Sequence, residues 1–170
     1  MDLGLKIDAD DVIKAKITFT GYCFEKDMAN ISKDFTINKN EALSAANKEL
    51  KKEPDNIDAL FGYAQMLFYT DDLKKAEASL QKILNIDSKH APALAYMGKL
   101  AADSENYLRA TKYVTEAIKY DSTNYDYYLD LGTYYRYQGK YSEATKAWNK
   151  AVELDPTYFL AYAYLAGSYD

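Results

Sequence analysis

From residue 57 to residue 158, apolar side chains return every third or fourth position, stop at a turn, and return again. Tyr128, Leu131, Gly132 and Tyr135 mark one amphipathic face, Gly139 interrupts it, and Tyr141, Ala144, Ala147, Trp148, Ala151 and Val152 restart the spacing. Such a period predicts a pair of helices joined by a short turn. Asp155-Pro156 ends the pair, because proline disfavours helical geometry in the residue before it. Leu94, Met97, Gly98 and Ala101, followed by Tyr107, Ala110, Val114, Ala117 and Ile118, predict the same pair one unit earlier. Leu60, Tyr63, Ala64 and Leu67, followed by Leu73, Ala76, Leu80, Ile83 and Leu84, predict it once more.

These positions fall in columns 34 residues apart: Ala42, Ala76, Ala110 and Ala144; Ala64, Gly98, Gly132 and Ala166; Asp87, Asp121 and Asp155; Leu80, Val114 and Trp148. A fixed period of this length means stacked supersecondary units rather than one closed globule. The units run 57–90, 91–124 and 125–158. Their small residues are expected where two helices approach most closely, since a larger side chain there would overpack the crossing.

This arrangement resembles the tetratricopeptide repeat, with its W-x₂-L-G-x₂-Y … A-x₃-F … P signature. Tyr128, Leu131, Gly132, Tyr135, Ala144, Trp148 and Pro156 stand at the signature positions of the third unit. Tyr63-Ala64 replaces Leu-Gly in the first, while Met97 and Ala101 replace Leu and Tyr in the second. Ser88 and Ser122 stand where the closing proline belongs. The resemblance implies an all-α fold, a right-handed superhelical solenoid of helix-turn-helix repeats. It also implies a non-catalytic scaffold that binds a partner peptide or helix in a concave groove.

The ends are less regular. Residues 1–23 form an irregular segment in which helix and short strand both remain open across 10–22. Residues 24–56 read as a degenerate hairpin, its second helix over 40–53 with Ala42, Ala46 and Leu50 inward. Residues 159–170 read as the first helix of an incomplete fourth repeat, apolar nearly all round. That helix implies either a longer natural protein or self-association through this end into a homo-oligomer. An accessory domain of a larger enzyme is a third reading.

Composition narrows the function classes. The net charge is −5 and the lysines are scattered, which argues against a nucleic-acid partner. The most apolar run, 158–169, falls short of the roughly 20 residues of a spanning helix. The N-terminus lacks the pattern of a secretion signal. One cysteine, Cys23, precludes an intrachain disulfide and fits a reducing compartment, with the cytoplasm slightly favoured.

Candidate chemistry is sparse. His90, the single histidine, falls in a turn and is expected to be solvated. No cysteine or histidine cluster has metal-ligand spacing, and no glycine-rich phosphate loop is present, so neither catalytic residues nor cofactors are expected.

The 18 tyrosines, crowded after residue 120, carry more information. Tyr128, Tyr135, Tyr141 and Tyr162 fall on the inward stripe and are expected in the core. Tyr125, Tyr127, Tyr134 and Tyr137 fit that stripe less well and suit a recognition surface. By the resemblance, the groove would present Asp58, Phe61, Gln65, Phe68 and Tyr69 from the first unit. The second would add Ala95, Lys99 and Asp103, and the third Asp126, Leu129, Thr133, Arg136 and Tyr137. Family members that hold chaperone C-termini clamp the terminal carboxylate with basic and amide side chains. Here Phe61, Gln65, Tyr96, Asp126 and Asp130 occupy those places, which argues against such a clamp and leaves Lys99 and Arg136 for an acidic side chain.

Overall fold

The computed structural model describes residues 43, 44, 46–157 and 164. The expectations for residues 1–42, for Tyr162 and for nearly all of the final helix fall outside them. The chain divides into two compact units, 1–82 and 83–170.

In the first unit, helical residues at 43, 44 and 46–52 precede α1 (Ile57–Tyr69) and the opening turns of α2 (Leu73–Ile86). Ala59, Leu60, Ala64 and Leu67 are the buried side of α1, and Ala76 and Leu80 that of α2. Lys82 returns to the preceding loop, pairing with Asp55 at 3.0 Å and donating to the Pro54 carbonyl.

In the second unit, the end of α2 is followed by α3 (Ala91–Asp103), α4 (Tyr107–Tyr120), α5 (Tyr125–Tyr137) and α6 (Tyr141–Leu154). Each helix packs on its neighbours in sequence: α3 on α4, α4 on α5, α5 on α6, with a lighter contact between α3 and α5. The second helix of each pair supplies a row of almost fully buried residues: Ala110, Val114 and Ala117 from α4, and Ala144, Trp148 and Ala151 from α6. This is an all-α repeat fold of stacked helix–turn–helix units.

A further 34-residue column explains where the first helices begin. Asn56, His90 and Asn124 cap α1, α3 and α5, each accepting a backbone N–H of the first turn at 3.0–3.1 Å. His90 is therefore a half-buried cap, accepting through Nδ1 from Ala93, rather than a solvated turn residue. A cap of this kind satisfies a donor that the helix itself leaves unpaired. The aspartate column acts at the other end of each pair. Asp87, Asp121 and Asp155 accept from the backbone two residues on, at 2.9–3.0 Å, closing an Asx turn.

The turns inside the pairs share another column. Asp71, Glu105 and Gly139 lie in the left-handed region, with φ of 65°, 57° and 73°. Only the third turn has glycine, the residue that adopts this conformation without steric cost.

The glycines of α3 and α5 mark close approaches, as their periodicity predicts. A Cβ on Gly98 would stand 3.3 Å from the Ala110 carbonyl oxygen of α4. On Gly132 it would stand 2.3 Å from the indole nitrogen of Trp148. The Trp148 N–H donates to the Leu129 carbonyl at 3.3 Å, so the indole lies across α5 at the position glycine leaves open.

Candidate functional site

The first helix of each pair keeps one side uncovered by its partner helix. On α1 that side carries exposed Asp58, half-buried Phe61, Gln65 and Phe68, and Tyr69, which is 53% exposed. The Phe68 and Tyr69 rings meet edge to face, with centroids 5.9 Å apart.

In the second unit, α3 contributes Tyr96, Lys99 and Asp103, at i, i+3 and i+7. From α5 come Asp126, Asp130, Thr133 and Tyr137, at i, i+4, i+7 and i+11. Lys99 and Asp130 join the two helices, with Nζ 3.7 Å from Oδ2. That distance is an ion-pair contact and too long for a hydrogen bond. Oδ2 is buried without a hydrogen-bond partner, whereas the Asp130 side chain as a whole remains 25% exposed. Burial pushes the Asp130 carboxyl up to about 6, with Lys99 opposing the shift and Asp126 adding to it. Lys99 also lies 5.2 Å from the centre of the Tyr96 ring. Its ammonium is thus engaged within the chain, which corrects the expectation that it stands open to an acidic partner.

Leu129 also departs from its expected place in the groove. At 7% exposure it belongs to the core with Ala144, Trp148 and Ala151. Ala95, too, is buried. Tyr127 and Tyr134, each 5% exposed, are core residues packed with α3 and α4 residues, while Tyr141 is 63% exposed. The expectations are thus reversed for Tyr127, Tyr134 and Tyr141, whereas Tyr128 and Tyr135 pack against the core and Tyr137 is exposed, as expected. Along α5, Tyr127 and Tyr134 point about a quarter-turn from the Asp126–Asp130 stripe, towards the preceding helix pair. The inward stripe read from the sequence marks only contacts with the partner helix α6. Burial raises the hydroxyl pKa of both, Tyr127 to about 12.

At the edge of the face, Tyr137 stacks on Tyr107 with centroids 4.6 Å apart and planes 11° from parallel. One ring side is used there, yet Tyr137 remains 56% exposed. The Arg136 guanidinium lies 5.0 Å from the same ring. Behind it, the Gln138 amide reaches the Tyr107 carbonyl at 3.0 Å, the Thr111 hydroxyl at 2.6 Å and the Tyr134 carbonyl at 3.1 Å, tying α5 to α4. Periodicity does not single out Gln138, since Tyr107 and Thr111, which it ties to α5, belong to the preceding pair.

Among the described residues, no group of three or more histidine, cysteine, aspartate or glutamate side chains is arranged to hold a metal ion. No described helix is long and apolar enough to cross a membrane.

Comparison with known proteins agrees with this geometry. A tetratricopeptide repeat model matches residues 38–91, and a TPR repeat model matches residues 132–169. The chain belongs to the tetratricopeptide repeat family, a class of protein–protein interaction scaffolds. It is 31% identical over 117 residues to human cilia- and flagella-associated protein 70, covering 68% of this chain and 10% of that protein. The chain thus spans about a tenth of that relative's length. The crystal structure of MamA superposes with a TM-score of 0.70 at 23% identity, covering 88% of this chain and 85% of MamA. The first TPR of Spaghetti (RPAP3), bound to the HSP90 peptide SRMEEVD, superposes with a TM-score of 0.64 at 17% identity, covering 66% and 90% of the two chains.

Proposed function

We propose that the open sides of the first helices, α1 in the first compact unit and α3 and α5 in the second, are each a surface that receives an extended segment or a helix of a partner protein. The observation that carries this reading is aromatic surface where a solvated face would be polar: Phe61, Phe68 and Tyr69 on α1, and Tyr137 on α5. Asp58, Gln65, Asp126, Thr133 and Arg136 would supply polar contacts around them, and Lys99 would act through its pair with Asp130. Tyrosine and phenylalanine offer large contact area for little lost side-chain freedom. Helices already held by their neighbours leave less ordering cost to the complex.

Phe68→Ala combined with Tyr137→Ala is expected to weaken capture of the partner at least tenfold, with helicity by circular dichroism unchanged. Retained affinity in that variant would move the site elsewhere. A reducing, cytoplasmic setting is part of the proposal, on the strength of the single cysteine.

Homo-oligomerisation through the C-terminal helix is the second arrangement. Tyr164, the described member of that segment, stacks on Trp148 of its own chain with centroids 5.3 Å apart. An aromatic used within the chain is one fewer for a second copy, which favours the groove. Sedimentation equilibrium separates the two: a monomer at all concentrations removes self-association.

A further inference from the structure

The α3–α5 face of the second unit has a charge balance visible only in the folded chain. Asp103, Asp126 and Asp130 share it with Lys99. Lys99 is held against Asp130 Oδ2 and over the Tyr96 ring, so its charge is already used. Arg136, against Tyr137, lies towards the Leu129 side of α5, about a third of a turn from Asp130. Asp103 and Asp126 are exposed, with no ion pair to either among the described residues.

Asp130 itself is incompletely satisfied. Oδ2 has no hydrogen bond and no solvent, so the exposed quarter of the side chain lies on its other atoms. A carboxylate in this state gains from a charged donor arriving at its open oxygen. Guanidinium does so best, because one of its N–H groups can reach the open oxygen while its flat face packs on aromatic rings.

From these observations we infer that this face selects a cationic segment of its partner, placing an arginine or lysine side chain beside Asp130 and Asp126 with Tyr96 and Tyr137 flanking it. The inference rests on the groove reading above and names the partner's chemistry. It sets this chain apart from the repeat domain of Spaghetti, whose bound peptide, SRMEEVD, carries more acidic than basic side chains. An acidic peptide of that kind would meet like charge here, and like-charge juxtaposition opposes binding.

The test uses the full chain and two fluorescent heptapeptides, acetylated and amidated, one alternating alanine with arginine and the other alanine with glutamate. At low salt the arginine peptide is expected to bind at least tenfold more tightly. Asp126→Asn with Asp130→Asn should reduce that binding fivefold or more. Glu143→Gln with Glu153→Gln, an equal loss of two negative charges at exposed positions of α6, should leave it unchanged. The Trp148 emission of each variant reports that the second unit is folded.

Equal or tighter binding of the glutamate peptide, with Tyr137→Ala still weakening it, would overturn the charge preference and leave the groove standing. Binding of neither peptide would overturn both. Equal losses in the aspartate pair and in the paired Glu143→Gln, Glu153→Gln variant would reduce the effect to overall charge and overturn the site.

Discussion

Gly132 and Asp130, two residues apart on α5, illustrate opposite constraints. At Gly132 the space is taken: a methyl group would press into the Trp148 indole, which is itself almost fully buried. Gly132→Ala is expected to destabilise the chain by about 1–3 kcal/mol, read as a lower urea midpoint, because core overpacking forces side chains from their rotamers. An unaltered midpoint would mean that the indole does not lie over α5. The small residue was legible in the 34-residue column, but the atom it accommodates was not. Its partner is a tryptophan ring in this unit and a backbone carbonyl in the preceding one.

At Asp130 the constraint is electrostatic. Its folded-state pKa of about 6 lies above the unfolded value near 4, so the folded chain holds this proton more tightly. The associated stability is fully present below about pH 4 and is lost as pH rises towards and through 6. Allowing for the exposed quarter of the side chain, Asp130→Asn is expected to remove about 1–2 kcal/mol of pH dependence across that window. Urea midpoints measured from pH 4 to pH 7 would show it as a flatter profile. Two parallel profiles would place Asp130 in solvent.

At the scale of the element, the turns inside the helix pairs give a reciprocal pair of tests. Gly139→Ala should lower stability by about 1 kcal/mol, whereas Glu105→Gly, at the same left-handed position one repeat earlier, should be neutral or raise it by up to about 1 kcal/mol. Thermal melts of the two variants moving in the same direction would contradict the shared geometry. Caps can be tested likewise: Asn124→Ala removes the acceptor for the first-turn N–H of Asp126 and should cost about 1 kcal/mol. The cap and turn columns were present in the sequence, yet an apolar pattern does not reveal them. Asn56, His90 and Asn124 differ in type and share only the ability to accept a hydrogen bond.

For the whole molecule, the consequence of the repeat is locality. From α3 to α6, helices adjacent in sequence pack chiefly on one another. Short loops close before contacts form, so little chain entropy is lost ahead of each gain. Refolding of the full chain, followed through its single tryptophan, is therefore expected within milliseconds. A dominant phase lasting seconds would signal contacts far apart in sequence.

The 34-residue columns, read alone, determined the helix pairs, the turns between them, the small residues at their crossings and the family resemblance. All of these follow from local periodicity and backbone preference, which act over one or two turns. Tertiary packing decided which tyrosines are buried, that Leu129 joins the core, and that Lys99 is bound to Asp130. A helix in a stack touches its partner, the pair before and the pair after, while a single amphipathic stripe reports only the first of these. The remaining two faces become apparent only when neighbouring pairs are set against each other in space.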